Sequence, residues 1–199
     1  SIICALIAGT FGILVGYGVA KKRGSRLANY VSNLAFLPYL IPAMSFATIY
    51  LIMSYTKALS FLNGSLLLLI VVGSIKFLPF ASKSGTNAML QLSNEIEEAA
   101  IIVGVPWWKR MVRVLFPIQK SSFISGYLLP FVSCMRELTL FVLLTGSSTI
   151  LTAVLQNYEK YDCVQISNGI NLIIIVSVLV INLVVNKLTG ASIDKGVGG

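Results

Sequence analysis

The chain has 199 residues, of which 56% are hydrophobic and 11% charged, and its mean hydropathy is +0.87. Soluble domains carry about 25% charged residues, so this composition predicts an integral membrane protein rather than a soluble protein with an unusually apolar core. The net charge of +8 does not indicate a nucleic-acid partner, because the basic residues lie at the ends of apolar segments, as they do in membrane proteins.

Five apolar segments are candidates for membrane-spanning helices, each of which needs about 20 residues. They cover residues 2–20, 34–55, 66–81, 118–144 and 166–188, and we expect the helix of the third to continue past Lys83. In the first segment Gly12 and Gly16 lie four positions apart, which favours close packing of two helices, with a hinge as the alternative. Pro38, Pro42 and Pro130 predict kinks in the second and fourth segments.

The connections between these segments differ in charge, and this predicts the orientation. Basic residues follow the first segment, separate the third from the fourth and follow the fifth: Lys21, Lys22, Arg23, Arg26, Lys83, Lys109, Arg110, Arg113, Lys187 and Lys195. Because cytoplasmic loops collect Lys and Arg, these connections and the C-terminus are predicted to be cytoplasmic. Since the chain starts without Met and an odd number of spans would leave Ser1 outside, we expect that at least one upstream helix of a longer polypeptide is missing.

No catalytic or metal site is predicted. The chain has no His, and its three cysteines (Cys4, Cys134 and Cys163) form no Cys-x-x-Cys pair, so a metal site and a disulfide framework are both disfavoured. An intramembrane enzyme therefore has little support.

The polar segment of residues 82–117 separates the third and fourth apolar segments. Ser93 or Asn94 is positioned to cap a short helix, and acidic residues in its first turn suit the positive end of the helix dipole. Gly104 is predicted to end that helix, and Pro106 to begin the next one. A solvated surface helix would show the same start, so capping alone does not assign a function.

The spacing of this segment resembles the cytoplasmic coupling loop of permease subunits in binding-protein-dependent ABC importers. The matching pattern is Glu98-Ala99-Ala100, three residues, Gly104, nine residues, Val114, one residue, Phe116 and Pro117. Val114 and Phe116 replace the Ile and Leu that are usual before the Pro. The resemblance implies an all-α, type I ABC importer permease fold, a polytopic helix bundle with about five transmembrane helices, as a single domain over residues 1–199 with its coupling loop at 82–117.

Three other runs resemble the ferric-iron importer permeases, in the second half of their fused chain. These runs are Leu37-Pro38-Tyr39-Leu40-Ile41-Pro42, Lys76-Phe77-Leu78-Pro79-Phe80 and Arg136-Glu137-Leu138. The resemblance implies ferric iron as the solute, although thiamine, polyamine, sulfate and phosphonate importers share the scaffold. Thr139-Leu140-Phe141 departs from the small residues that usually follow in that family, which weakens this substrate assignment.

The resemblance also implies a mechanism. No Gly-x-x-x-x-Gly-Lys-Ser/Thr run is present, so ATP and Mg would be held by a separate cytoplasmic ATPase dimer and not by this chain. The further partners implied are a second permease half or subunit and an extracytoplasmic solute-binding protein, with lipid around the bundle. The residues implied in coupling to the ATPase are Glu97, Glu98, Ala99, Ala100, Gly104 and Pro117.

Arg136 and Glu137 are the candidate pathway residues, because charges within an apolar helix usually face a cavity or a partner. A structural ion pair to another helix, or a helix that ends before Arg136, would explain them equally well. Lys76 is expected to have a structural role, with its side chain reaching toward the cytoplasmic interface. A channel or a secondary transporter is the competing class of function, and it would need no coupling helix.

Overall fold

The computed structural model describes residues 1–145 and 150–191, and every regular element within these ranges is helical. In chain order the α-helices of these ranges are α1 (Ile2–Lys21), α2 (Arg26–Leu40), α3 (Ala43–Ser54), α4 (Leu66–Leu90), α5 (Asn94–Ile102), α6 (Trp107–Arg110), α7 (Phe116–Ile118), α8 (Lys120–Arg136), α9 (Thr139–Thr145), α10 (Leu151–Lys160) and α11 (Val164–Thr189). A 3-10 turn at Ser60–Leu62 precedes α4, and a π-helical turn at Met111–Leu115 joins α6 to α7. The predicted all-α bundle is confirmed; Lys195 lies outside the described residues.

Three helices of the described ranges, α1, α4 and α11, are long and apolar enough to cross a membrane. Two further candidates are broken: α2 and α3 meet at 99°, and α8 and α9 meet at 63°. If each bent pair is one span, the total reaches the five that the sequence predicted. By length and composition, the chain is a multi-pass membrane protein.

The centre of the bundle is the close packing of α1 on α4, with α8 against both. A Cβ atom on Gly12 would lie 2.4 Å from Cβ of Ala81, and one on Gly16 would lie 2.5 Å from the carbonyl oxygen of Ser82. Both distances are shorter than any normal contact, so only glycine lets the two backbones approach this closely. The predicted role of Gly12 and Gly16 in helix packing is confirmed.

The second predicted span differs from the structure in its start and in its continuity. Its first helix, α2, begins at Arg26 rather than near residue 34, because the Ser25 hydroxyl caps it by accepting a hydrogen bond from the Ala28 amide. The helix then ends at Leu40 instead of kinking. Pro42 has no N–H and disfavours helical geometry at the preceding residue, and Ile41 is extended, with φ −82° and ψ 128°.

The fourth predicted span is broken at a different residue from the one expected. Helix α8 continues through Pro130 and ends at Arg136. Glu137 is extended (φ −79°, ψ 111°), and its Oε1 accepts a 3.1 Å hydrogen bond from the Leu140 amide at the start of α9. In a continuous helix the Leu140 amide would donate to a backbone carbonyl. The hydrogen bond to Glu137 replaces that pairing and so stabilises the break.

Helix α4 includes the first nine residues of the predicted coupling loop, residues 82–90. Ser82, Ser84 and Ala88 are buried there, and the Ser84 hydroxyl donates a 2.7 Å hydrogen bond to the Ser122 carbonyl of α8. Small polar residues that resemble a loop in sequence therefore pack between helices. The loop itself begins at Gln91, where α4 ends.

Helix α10 was not predicted, because it lies between the predicted apolar segments 118–144 and 166–188. The apolar spacing of Leu151, Leu155 and Tyr158 would have indicated a helix.

Candidate functional site

The polar loop contains the short helix α5, whose two ends form as the sequence predicts. Ser93 precedes the helix, and its hydroxyl accepts a 3.3 Å hydrogen bond from the Glu95 amide. Gly104 follows the other end with φ +75°, and its amide donates a 2.8 Å hydrogen bond to the Ile101 carbonyl. Because L-residues rarely adopt this φ, glycine allows the chain to reverse there without strain.

Glu97 is the buried residue of α5, with only 4% of its surface exposed. Its Oε1 accepts a 2.6 Å hydrogen bond from the Tyr17 hydroxyl of α1, and its Oε2 lies 2.5 Å from Nζ of Lys21. Nε of Arg110, in α6, lies 3.7 Å from Oε1. A single carboxylate thus connects the loop helices α5 and α6 to the end of a membrane-spanning helix.

The surroundings of Glu97 favour its ionised form. Burial alone would raise its pKa, but the Lys21 ammonium, the Tyr17 hydroxyl and the charge of Arg110 together outweigh that effect. The pKa of Glu97 is therefore held below its ordinary value.

The adjacent residue, Glu98, has the opposite environment and is exposed. The sequence had assigned both glutamates to contact with an ATPase. The carboxylate of Glu97 is enclosed by contacts with α1 and α6, and the coupling of this residue to an ATPase stays a prediction. Glu98 and Ala99 are exposed and Ala100 is half-buried, so their role in coupling stays a prediction.

Large apolar side chains are exposed at the end of α5 and in α6, close in sequence to Glu98 and Ala99. Ile102 is 85% exposed, Val103 is 80% exposed and Trp108 is 67% exposed. We call Glu98, Ala99, Ile102, Val103 and Trp108 the outer loop face. Large apolar side chains grouped on a polar loop are typical of a surface that a partner protein covers.

Pro117 lies in α7, where the loop returns to the bundle. It has no N–H to continue the regular α-helical pattern, and the turn before it is widened into a π-helix. Leu115 of that turn is buried, whereas Pro117 itself is exposed. Pro117 therefore shapes the exit of the loop, and a contact between it and an ATPase stays a prediction.

A cleft of about 350 Å³ lies between α2, α4 and the end of α8. We call it the α4–α8 cleft; it is lined by Tyr39, Lys76, Phe77, Phe80, Val132, Ser133, Arg136 and Glu137. Both candidate pathway residues are therefore brought to one cavity.

Lys76 is in the middle of α4 and only 9% exposed, so its side chain does not extend to the interface as expected. Its ammonium donates hydrogen bonds to the carbonyls of Pro38, at 2.8 Å, and Ile41. Those carbonyls lost their helical partners where α2 is broken, and lipid offers none. The expected structural role of Lys76 is supported, but its ammonium is held by backbone carbonyls and not at the membrane interface.

Arg136 and Glu137 do not pair with each other. Glu137 is bonded to the Leu140 amide, whereas Arg136 is exposed to the cleft, and within residues 1–145 and 150–191 its guanidinium has no ion pair or hydrogen bond. The described part of the chain thus provides one unpaired cation at this cavity.

Sequence reasoning missed the groups that hold the loop in place: Tyr17, Lys21 and Arg110. A signal for two of them was present, because Tyr17 and Lys21 lie four positions apart and so share one face at the end of α1. Their partner on α5 could not be identified without the fold, since it lies 80 positions after Tyr17.

Comparison with known proteins identifies a family for this architecture. The family model described as "Binding-protein-dependent transport system inner membrane component" matches residues 10–194. A chain from a structure described as inward facing conformations of the MetNI methionine ABC transporter has a TM-score of 0.67, covering 94% of this chain and 90% of that one. At 16% identity, this likeness shows the fold alone.

The similar sequences have names that refer to different solutes. The ferric transport system permease protein FbpB of Actinobacillus pleuropneumoniae is 22% identical over 192 residues, covering 94% of this chain and 27% of that protein. The probable sulfate transport system permease protein cysT of Prototheca wickerhamii is 26% identical over 206 residues, covering 92% and 77% respectively. The phosphate transport system permease protein PstA 1 of Mycobacterium tuberculosis is 27% identical over 136 residues, covering 68% and 42%. The chain spans about a quarter of the length of the ferric relatives that it matches.

Proposed function

Because the chain belongs to the family of binding-protein-dependent transport system inner membrane components, we propose that it forms the membrane passage of an ATP-driven importer. In this proposal the chain performs no chemistry itself. A dimeric ATPase subunit on the cytoplasmic side supplies the energy, an extracytoplasmic binding protein delivers the solute, and a second permease half or subunit completes the passage. The C-terminus lies in the cytoplasm, in agreement with the charge of the connections.

The observation that carries the proposal is the outer loop face. A loop with Ile102 and Val103 at least 80% exposed would be unfavourable in water without a partner. The small side chain of Ala99 lets a groove of the ATPase approach the α5 backbone, and Glu98 adds a charge for a basic or polar group there. A channel or a secondary transporter does not bind an ATPase and would therefore not need an exposed apolar face on this loop.

The contacts of Glu97 supply a route from the ATPase to the passage. A partner that moves α5 would also move α1, because the Glu97 carboxylate binds Tyr17 and Lys21. Helix α1 is in turn packed on α4 through Gly12 and Gly16, and α4 carries Lys76 at the α4–α8 cleft. Rigid helices in direct contact are the physical requirement for a nucleotide-dependent shift between two packings of the bundle.

The proposed solute is ferric iron, which the Arg136-Glu137-Leu138 run and two ferric transport relatives support. Sulfate and phosphate are the alternatives, since relatives of similar identity are named for them. Arg136 and Glu137 are the proposed pathway residues.

Capture of the ATPase tests the coupling assignment. The tagged full-length protein is purified from its native membrane, and the ATP hydrolysis that co-purifies with it is measured. Ala99→Trp should abolish the captured activity by filling the docking surface, whereas Ala58→Trp, at another exposed position in the connection after α3, should retain it. If Ala99→Trp captures as much ATPase as the unmodified protein, the assignment of the loop is wrong.

A further inference from the structure

We propose that the α4–α8 cleft is the solute site of the passage and that it accepts an anion bearing oxygen acceptors. This inference rests on the proposed function and names the chemical class of its solute. Inorganic sulfate, inorganic phosphate and an anionic ferric complex all belong to this class. Because the site accepts anions, ferric iron would pass as such a complex and not as a free cation.

The charges that line the cleft favour an anion. Lys76 and Arg136 are cationic, and Glu137 is the acidic residue of the lining. The carboxylate of Glu137 already accepts a hydrogen bond from the Leu140 amide. The net positive charge lies among Phe77, Phe80 and Val132, and an apolar environment strengthens the attraction between unlike charges.

The hydrogen-bond donors that line the cleft favour a solute with oxygen acceptors. Arg136 presents a planar fork of N–H groups, which matches the oxygens of sulfate, phosphate and carboxylate. Lys76 uses two of its three N–H groups on the Pro38 and Ile41 carbonyls, and its ammonium lies 5.1 Å from the centre of the Phe46 ring, so it contributes its charge to the cleft. Ser133 adds a hydroxyl to the same lining.

A free ferric ion would find no suitable site here. Hard cations need several oxygen ligands, preferably carboxylates. Within residues 1–145 and 150–191, no three His, Cys, Asp or Glu side chains are grouped to hold a metal ion. A trivalent cation in the cleft would also lie beside Lys76 and Arg136, with one engaged carboxylate to offset them.

Helix α4 continues the positive charge beyond the cleft. Lys83 follows Lys76 by seven positions and therefore lies on the same side of the helix. Its ammonium lies 5.9 Å from the centre of the Phe36 ring of α2, and its side chain is exposed. An anion leaving Lys76 toward the end of α4 would meet a second ammonium.

Thiol labelling with reagents of opposite charge tests this inference without any need for the natural solute. Ser133→Cys is made in a Cys163→Ser background, where the remaining Cys4 and Cys134 are buried. The purified complex is treated with the anionic sulfonatoethyl and the cationic trimethylammonioethyl methanethiosulfonates. For each variant, the rate with the anionic reagent is divided by the rate with the cationic reagent. This ratio is then divided by the same ratio for Ala58→Cys, where the residue replaced is exposed.

We expect the anionic reagent to be favoured at position 133. Adding Arg136→Gln should lower this preference roughly 25-fold, because removing one charge about 7 Å away at an effective permittivity of about 50 changes each rate about fivefold, in opposite directions for the two reagents. The matched change Arg113→Gln, in the loop, should leave it unchanged. Equal rates, a preference for the cationic reagent, or no reaction at position 133 would overturn the inference. Since ATPase capture is measured separately, none of these results bears on the permease assignment.

Uptake by the complete reconstituted importer distinguishes the three anions. Radiolabelled sulfate, phosphate and ferric citrate are offered in separate assays. Uptake of the anion that is accumulated should fall several-fold in Arg136→Gln and recover partly in Arg136→Lys. Uptake that is unchanged by Arg136→Gln would contradict the inference.

Discussion

The hydroxyl of Tyr17 donates a 2.6 Å hydrogen bond to the carboxylate of Glu97, joining a membrane helix to the loop helix α5 across 80 positions of sequence. The same carboxylate forms an ion pair with Lys21 and lies near Arg110. Glu97 therefore fixes the position of the loop relative to α1. Its neighbour Glu98 has no part in this arrangement and serves as a control.

Glu97→Gln should loosen the loop from α1. The amide oxygen still accepts from Tyr17, but the ion pair with Lys21 is lost, and a buried charged hydrogen bond is worth about 1.5–3 kcal/mol. We expect faster tryptic cleavage at the exposed Lys109 and Arg113 in detergent-solubilised protein, and a lower unfolding temperature. Glu98→Gln should change neither. Equal cleavage of the two variants would show that the Glu97 contacts do not hold the loop.

The contribution of Glu97 to stability should depend on pH in a defined direction. Its folded pKa lies below its ordinary value, so the folded state binds fewer protons than the unfolded state. The stabilisation is complete above the ordinary carboxyl pKa of about 4.3 and is lost as pH falls through the lower, folded pKa. The difference in unfolding temperature between the unmodified protein and Glu97→Gln should therefore be constant near neutral pH and shrink under acid. A difference that grows as the pH falls would contradict the sign.

Gly12→Ala should disrupt the contact between α1 and α4. The added methyl group would lie 2.4 Å from Cβ of Ala81, and forcing extra atoms into a packed core costs about 1–3 kcal/mol. The control is Gly18→Ala in the same helix, where a Cβ meets nothing within 4 Å. Unfolding in detergent, followed by circular dichroism, should show a loss of stability for the first variant and none for the second. Equal stability of the two would mean that α1 and α4 are not packed this closely.

Lys76→Met should destabilise the break between α2 and α3. It removes the donor that the Pro38 and Ile41 carbonyls share, and each buried group left unpaired costs about 1–3 kcal/mol. Lys83→Met is the matched control, because Lys83 is exposed. Thermal unfolding that is lowered equally by both changes would argue against this role of Lys76.

The sequence predicted those features that local chemistry determines. The ends of α1 and α11 follow from apolar length, and the caps at Ser93 and Gly104 follow from residue type. Tertiary contacts determine the rest: α4 continues to Leu90 because its small polar residues pack against α1 and α8. The inward direction of Glu97 depends on Tyr17, and the position of Lys76 depends on carbonyls freed at Ile41. These are relations between distant segments, which periodicity and spacing do not encode.

We have proposed that this chain forms a passage powered by a separate ATPase, which binds the outer loop face. The decisive measurement is ATP-dependent solute accumulation in proteoliposomes that contain the full protein with the proposed ATPase and binding protein. We expect that accumulation requires ATP, is lost in Ala99→Trp, and persists in Leu172→Trp, where the changed side chain is exposed on α11. Accumulation that proceeds without ATP, or that is unaffected by Ala99→Trp, would contradict it.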